Sequence, residues 1–105
     1  MTTATILGVD VAVDDEGFMT DPSQWAEGMA DELAQQVGIA ELTPDHWTVI
    51  RYLRDDFDSQ GETATLRRIS ANTGIPTKRL FELFPKKPGK KMAFVSGLPK
   101  PKGCL

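Results

Sequence analysis

At 105 residues, 40% apolar and 26% charged, the chain has the makeup of one soluble domain with a modest core and little room for an internal pocket. No apolar run nears the roughly 20 residues that cross a bilayer, and Met1-Thr2-Thr3-Ala4-Thr5 lacks the basic and apolar regions of a secretory signal, so a cytoplasmic protein with no membrane partner is expected. The net charge of −3 divides sharply: residues 1–84 hold all 15 acidic side chains and six basic ones, net −9, whereas residues 85–105 hold six lysines and no acid, net +6.

Residues 3–13 alternate weakly around Gly8-Val9, a glycine-first pair that predicts a type II′ hairpin. After the break at Asp14-Asp15-Glu16-Gly17, Asp21-Pro22-Ser23-Gln24 reads as a helix start. Asp21 is the N-cap, Pro22 the first helical residue, and Gln24 reaches back as in a capping box. That helix carries Trp25, Met29 and Leu33 on one face and ends before Gly38.

Thr43-Pro44-Asp45-His46 predicts a second helix, with an apolar stripe of Trp47, Ile50, Leu53 and Phe57. Arg51, Arg54, Asp55 and Asp58 are expected to face elsewhere, and Ser59-Gln60-Gly61 ends the element. A third helix is predicted from about Thr63 to Asn72 and, after Thr73-Gly74-Ile75, a fourth from Pro76 through Phe84. Pro85 and Pro88 are read as stops with no helix beyond them. The predicted fold is mainly α with a small N-terminal β-hairpin: a hairpin plus helical core in 1–84, then a mobile basic arm in 85–105.

The arm ends Gly97-Leu98-Pro99-Lys100-Pro101-Lys102-Gly103-Cys104-Leu105 and holds the only cysteine. Pro99 and Pro101 favour extended geometry, and Gly103 keeps the backbone beside Cys104 uncrowded. Fully extended, residues 85–105 span on the order of 70 Å. Neighbouring lysines favour the thiolate, the form that attacks a sulfane sulfur or a disulfide, although solvent screens the effect.

Leu83-Phe84-Pro85, the Lys/Gly stretch after it and the tail Gly97-Leu98-Pro99-Lys100-Pro101-x-Gly103-Cys104 closely resemble the C-terminal signature of the DsrC/TusE family. Gly17-Phe18-Met19 with Trp25, Leu42-Thr43-x-x-His46-Trp47 and Leu66-Arg67 extend the likeness over nearly the whole chain. The resemblance implies a protein that carries sulfur on Cys104. Members that work with dissimilatory sulfite reductase, of which this type is the gamma subunit, have a second cysteine eleven positions earlier, where this chain has Ala93. Without it, Cys104 cannot close an intramolecular disulfide or trisulfide but can hold a persulfide. The single-cysteine pattern is like TusE, whose sulfur ends in tRNA 2-thiouridine, and like proteins that accompany cytoplasmic sulfur oxidation.

The implied partners are a persulfide-donor complex of the TusBCD/DsrEFH type and an acceptor resembling a tRNA thiouridylase or sulfite reductase. Cys104 is the candidate persulfide carrier. Gly97, Leu98, Pro99, Pro101 and Gly103 are candidates for presenting it, and Lys86, Lys87, Lys90, Lys91, Lys100 and Lys102 for docking. Such a chain is a stoichiometric sulfurtransferase-class carrier with no cofactor; the alternative is an accessory subunit whose arm docks on sulfite reductase without carrying sulfur.

Other patterns compete. Leu66 through Leu80 reads as a helix-turn-helix with Lys78 and Arg79 early in its second helix, but a body at −9 disfavours a nucleic-acid partner. His46, the only histidine, is expected to satisfy backbone groups in the first turn of its helix or to pack beside Trp47. One cysteine and one histidine do not make a zinc site, and no glycine run has phosphate-loop spacing. Asp55-Asp56 reads as solvated helix face. Arg51, Arg67 and Arg68 are candidate arm contacts, against ordinary pairing with Asp55, Asp56 or Glu62.

Overall fold

Strands β1 (Thr2–Ile6) and β2 (Val9–Val13) pair antiparallel in the computed structural model, which describes residues 2–100. Thr2 lies opposite Val13 and Ile6 opposite Val9. The turn is therefore Leu7-Gly8, one residue earlier than expected, with φ of 51° and 76°. Two positive φ angles give the type I′ geometry, whose twist suits paired strands. The register puts Ile6, Val11 and Val13 into the core, and a one-residue slip would turn all three outward.

The predicted first helix is broken. Asp21 caps as expected, its Oδ1 accepting from the Ser23 N–H (3.1 Å) and hydroxyl (2.6 Å), but only a 3-10 turn, Pro22–Gln24, follows. Trp25 leaves it with ψ 141°, and helix α1 spans just Met29–Gln36. The Gln24 side-chain oxygen Oε1 does not return to the cap; it accepts from Ala12 N–H of β2 at 2.7 Å. Tertiary hydrogen bonds have replaced the two helical turns that local spacing predicts.

Helix α2 (Pro44–Gln60) matches expectation from the Thr43 cap to Gly61, which ends it at φ 74°. His46 Nδ1 accepts from Thr43 N–H (3.0 Å), so the ring proton belongs on Nε2, which donates to Leu83 O (2.7 Å). The only histidine is thus a tie between two helices, packed edge-on to Phe84 at 5.0 Å. Helices α3 (Leu66–Thr73) and α4 (Thr77–Leu83) form the expected pair around Gly74, each shorter than predicted.

Beyond Pro85, where an open arm is expected, the chain forms helix α5 (Pro88–Val95). Proline is favoured at a first helical position, where its missing N–H costs nothing, so Pro88 opens a helix instead of stopping one. Gly97 at φ 69° closes it, and Leu98 N–H returns to Ala93 O at 3.0 Å, a Schellman ending. The arm boundary at 85 fails for residues 88–98: Met92, Ala93 and Val95 are fully buried and Leu98 is 1% exposed.

Val49, Ile50 and Leu53 of α2 form the centre of the core, surrounded by Ile69, Leu80, Leu83, Phe84, Met92, Val95 and Leu98. Each such side chain contributes about 1.5–3 kcal/mol by leaving water. A smaller cluster (Ile6, Val11, Val13, Met19, Met29, Leu33) lies under the hairpin, and Trp25 and Phe94 pack against both. Among the described residues, no helix is long and apolar enough to cross a membrane.

Candidate functional site

The last described residues leave the core through a root built by distant parts of the chain. The C-terminal carbonyls of a helix have no partner within it. Here two are met by side chains: Trp25 Nε1 donates to Val95 O (3.0 Å) and Arg54 Nη1 to Ser96 O (2.8 Å). Arg54 Nη2 also donates to Pro22 O (2.9 Å), and the guanidinium carbon lies 4.3 Å from the centroid of the Trp25 ring. Arg54, expected on an outer face, instead ties three segments together. Burial pulls its pKa below the ordinary guanidinium range, and the Asp58 carboxylate opposes that shift.

Gly97 is required by this packing. A Cβ built there would lie 2.2 Å from Trp25 Cδ1. Leu98 is buried next to it, Pro99 O accepts weakly from Thr63 Oγ1 (3.4 Å), and Lys100 Nζ pairs with Glu16. The hydrogen bond and charge of Glu16 raise the Lys100 pKa, with partial opposition from desolvation. Pro101, Lys102, Gly103 and Cys104 lie outside the described residues.

The lysines divide into two settings. Lys86 and Lys87 are exposed with φ of 60° and 53°, immediately before α5. Lys90 and Lys91 are half-buried and line a cleft of about 270 Å³ with Glu16, Phe18, Val37 and Phe94. These four form no ion pair with a carboxylate among the described residues, and Glu16 brings Lys100 to the same side as Lys90 and Lys91.

The three arginines read as arm contacts do not converge. Arg68 is engaged by Asp56, at 2.7 Å from Nη2, with Tyr52 OH at 3.3 Å from Nε. Its pKa is raised by hydrogen bonds to Tyr52 and then Asp56. Asp56 is only 8% exposed, which corrects its reading as solvated helix face. Arg67 and Arg68 line a groove of about 460 Å³ between the end of α2 and α3, whereas Arg51 lies over the Trp47 ring at 5.5 Å. In the helix pair, Arg79 pairs with the exposed acids Asp45 (3.3 Å) and Glu82 (3.4 Å), which set negative charge beside it. Sequence reasoning missed Arg54 and Glu16, and placed Trp25 inside a helix, whereas it lies in the segment before α1 while still packing against the cluster of Met29 and Leu33. The buried Gly97 was the one local signal that something packs close at this point.

Fold and root together define a class: a small helical domain with a β-hairpin, whose cysteine-bearing C-terminal segment is rooted in the core by its own last helix. The chain belongs to the DsrC family, described as DsrC like protein, whose family model matches residues 5–105. It is 35% identical over 105 residues to the sulfite reductase, dissimilatory-type subunit gamma, of Nitratidesulfovibrio vulgaris, covering 100% of both chains. Sulfurtransferase TusE of Escherichia coli is 37% identical, over 93% of this chain and 95% of that protein. In the solved structures, DsrC of Allochromatium vinosum superposes with a TM-score of 0.83 at 34% identity, covering 98% of this chain and 97% of that one.

Proposed function

We propose that this chain is a sulfur carrier that takes up a sulfane sulfur on Cys104 as a persulfide and hands it to a partner protein. The observation that carries the reading is its single cysteine, six residues beyond the buried Leu98. A relative named as a sulfurtransferase supports it. The chemistry is a transfer between thiols without net oxidation. The Cys104 thiolate attacks the outer sulfur of the donor's persulfide; the new S–S bond forms at Cys104, the donor's S–S bond breaks, and the donor leaves as a thiolate. Delivery repeats the step with Cys104 as the leaving thiolate.

Ala93, fully buried in α5, supports a carrier over a two-cysteine mechanism, because a disulfide or trisulfide within the chain needs a second thiol. The donor is a complex of the TusBCD/DsrEFH type. Two acceptor classes fit a single-cysteine carrier: an enzyme that thiolates tRNA, and a sulfite-reductase-like enzyme of cytoplasmic sulfur oxidation. Lys86, Lys87, Lys90, Lys91, Lys100 and Lys102 steer the encounter by charge. Pro99, Pro101 and Gly103 keep the segment that enters the partner slim. Of the arginines, Arg67 is the arm contact to test, since Arg68 is engaged by Asp56.

Intact-protein mass spectrometry after incubation with a persulfide-donating sulfurtransferase tests the reading. A gain of about 32 Da, reversed by reductant and absent in Cys104→Ser, is the expected result. Equal loading of the serine variant, or no loading by any donor, sinks it.

A further inference from the structure

We infer that Arg54 and Trp25 are positioning residues that set the direction in which the cysteine-bearing segment leaves the body. Three observations converge on the root. Arg54 bridges Ser96 O and Pro22 O, carbonyls that belong to separate segments, and stacks on Trp25. Trp25 holds Val95 O through its indole N–H and covers Gly97 so closely that no Cβ fits. Residues 95–98 are therefore held on one side by these two groups and on the other by the core under Leu98.

Helix ending alone does not call for this arrangement. Val95 and Ser96 are fully buried, so their carbonyls need protein donors, but one simple donor for each would suffice, whereas Arg54 also reaches Pro22 O and the Trp25 ring. The geometry of a planar fork is what Arg54 adds, because it fixes two acceptors in one plane as a lysine cannot. Direction matters through leverage. From Leu98 to Cys104 the chain reaches at most about 20 Å, so a turn of about 30° at the root moves the limit of that reach by up to about 10 Å. Pro99, the first residue beyond the buried Leu98, locks φ and so passes the direction of the root on to the chain after it. The consequence for sulfur delivery rests on the relay reading; the effect on direction does not.

Because Cys104 is the only cysteine, a nitroxide attached there reports direction straight from the full chain. Paramagnetic broadening of backbone amides in the labelled wild type should be confined to one sector of the body. Arg54→Lys keeps charge but loses the fork, and Trp25→Phe keeps a ring but loses the N–H. In each, verified as folded by its amide spectrum, the broadening should spread, changing relative enhancements at least twofold. Superimposable patterns in whichever of the two variants folds would overturn the inference.

A parallel measurement on unlabelled protein reads the consequence. Sulfur transfer to the acceptor protein should fall about tenfold in kcat/KM, while alkylation of Cys104 by iodoacetamide stays within twofold of wild type. Unchanged transfer alongside a changed broadening pattern would remove the leverage argument. A wild type that carries no sulfur would refute the relay reading and leave the nitroxide result to decide on the root alone.

Discussion

The α3–α4 pair and the root of the C-terminal segment are both short and punctuated by glycine, yet they are held in different ways. Within each helix of the pair the ties are local, and the distant partners, His46, Asp45 and Asp56, all come from the one neighbouring helix α2. Thr65 Oγ1 accepts from Arg68 N–H, Asn72 donates to Arg68 O, Thr73 Oγ1 donates to Ile69 O, and Gly74 N–H returns to Ser70 O. In the root they come from far away: Trp25 reaches Val95 across 70 positions and Arg54 reaches Ser96 across 42. Phe81 of the pair is 49% exposed, whereas Leu98 is 1% exposed. A basic, proline-rich composition therefore did not mark free chain. It marked a surface around a helix whose other face is core.

Leu98→Ala tests that contrast most severely. Residue 98 in a free arm would tolerate the change, but the buried position should lose about 2–5 kcal/mol in urea unfolding. A shift under 0.5 kcal/mol would return residue 98 to the arm. His46→Ala comes next, since it removes both the Thr43 cap and the tie to Leu83 O; about 1–3 kcal/mol should be lost. In the same assay, a near-neutral result would mean that α2 and α4 hold together by apolar packing alone.

Arg79→Ala should move stability by no more than about 0.5 kcal/mol, because its pairs with Asp45 and Glu82 are solvent-exposed. A larger loss would make the pair less local than its hydrogen bonds imply. The smallest effect concerns Lys100. Its pKa is raised above 10.5 in the folded chain by Glu16, so its contribution is complete below 10.5 and is lost as pH rises through the higher folded value. Carbon-13 NMR of the Lys100 ε-methylene should show titration at lower pH in Glu16→Gln than in wild type; coincident curves would dissolve the tie.

What was legible in the sequence follows the range of the forces involved. The helical class, the hairpin, the Thr43-Pro44 start, the Gly61 and Gly74 stops and the His46 cap on Thr43 all rest on groups within a few residues of one another, so pattern and capping chemistry suffice; the tie from His46 to Leu83 O, 37 positions away, does not. The hairpin turn was placed one residue late because glycine at either position of a two-residue turn accepts positive φ, and only the burial of Val11 and Val13 selects the register.

The first helix broke and the last one formed for the same reason. Trp25 and Pro88 carry local signals compatible with two conformations, and contacts from distant segments chose between them. Arg54 and Asp56 illustrate the limit on a single helix. Their neighbours' periodicity places them toward water, yet one finds two carbonyls and a ring, the other an arginine and a tyrosine hydroxyl. The sequence by itself determined the helical class, the family resemblance and the lone thiol near its end, because composition and motif are properties of the chain alone. The tertiary structure decided where the core stops and the cysteine-bearing segment begins. That boundary depends on groups up to 70 residues apart meeting at one point, a fact no local pattern encodes.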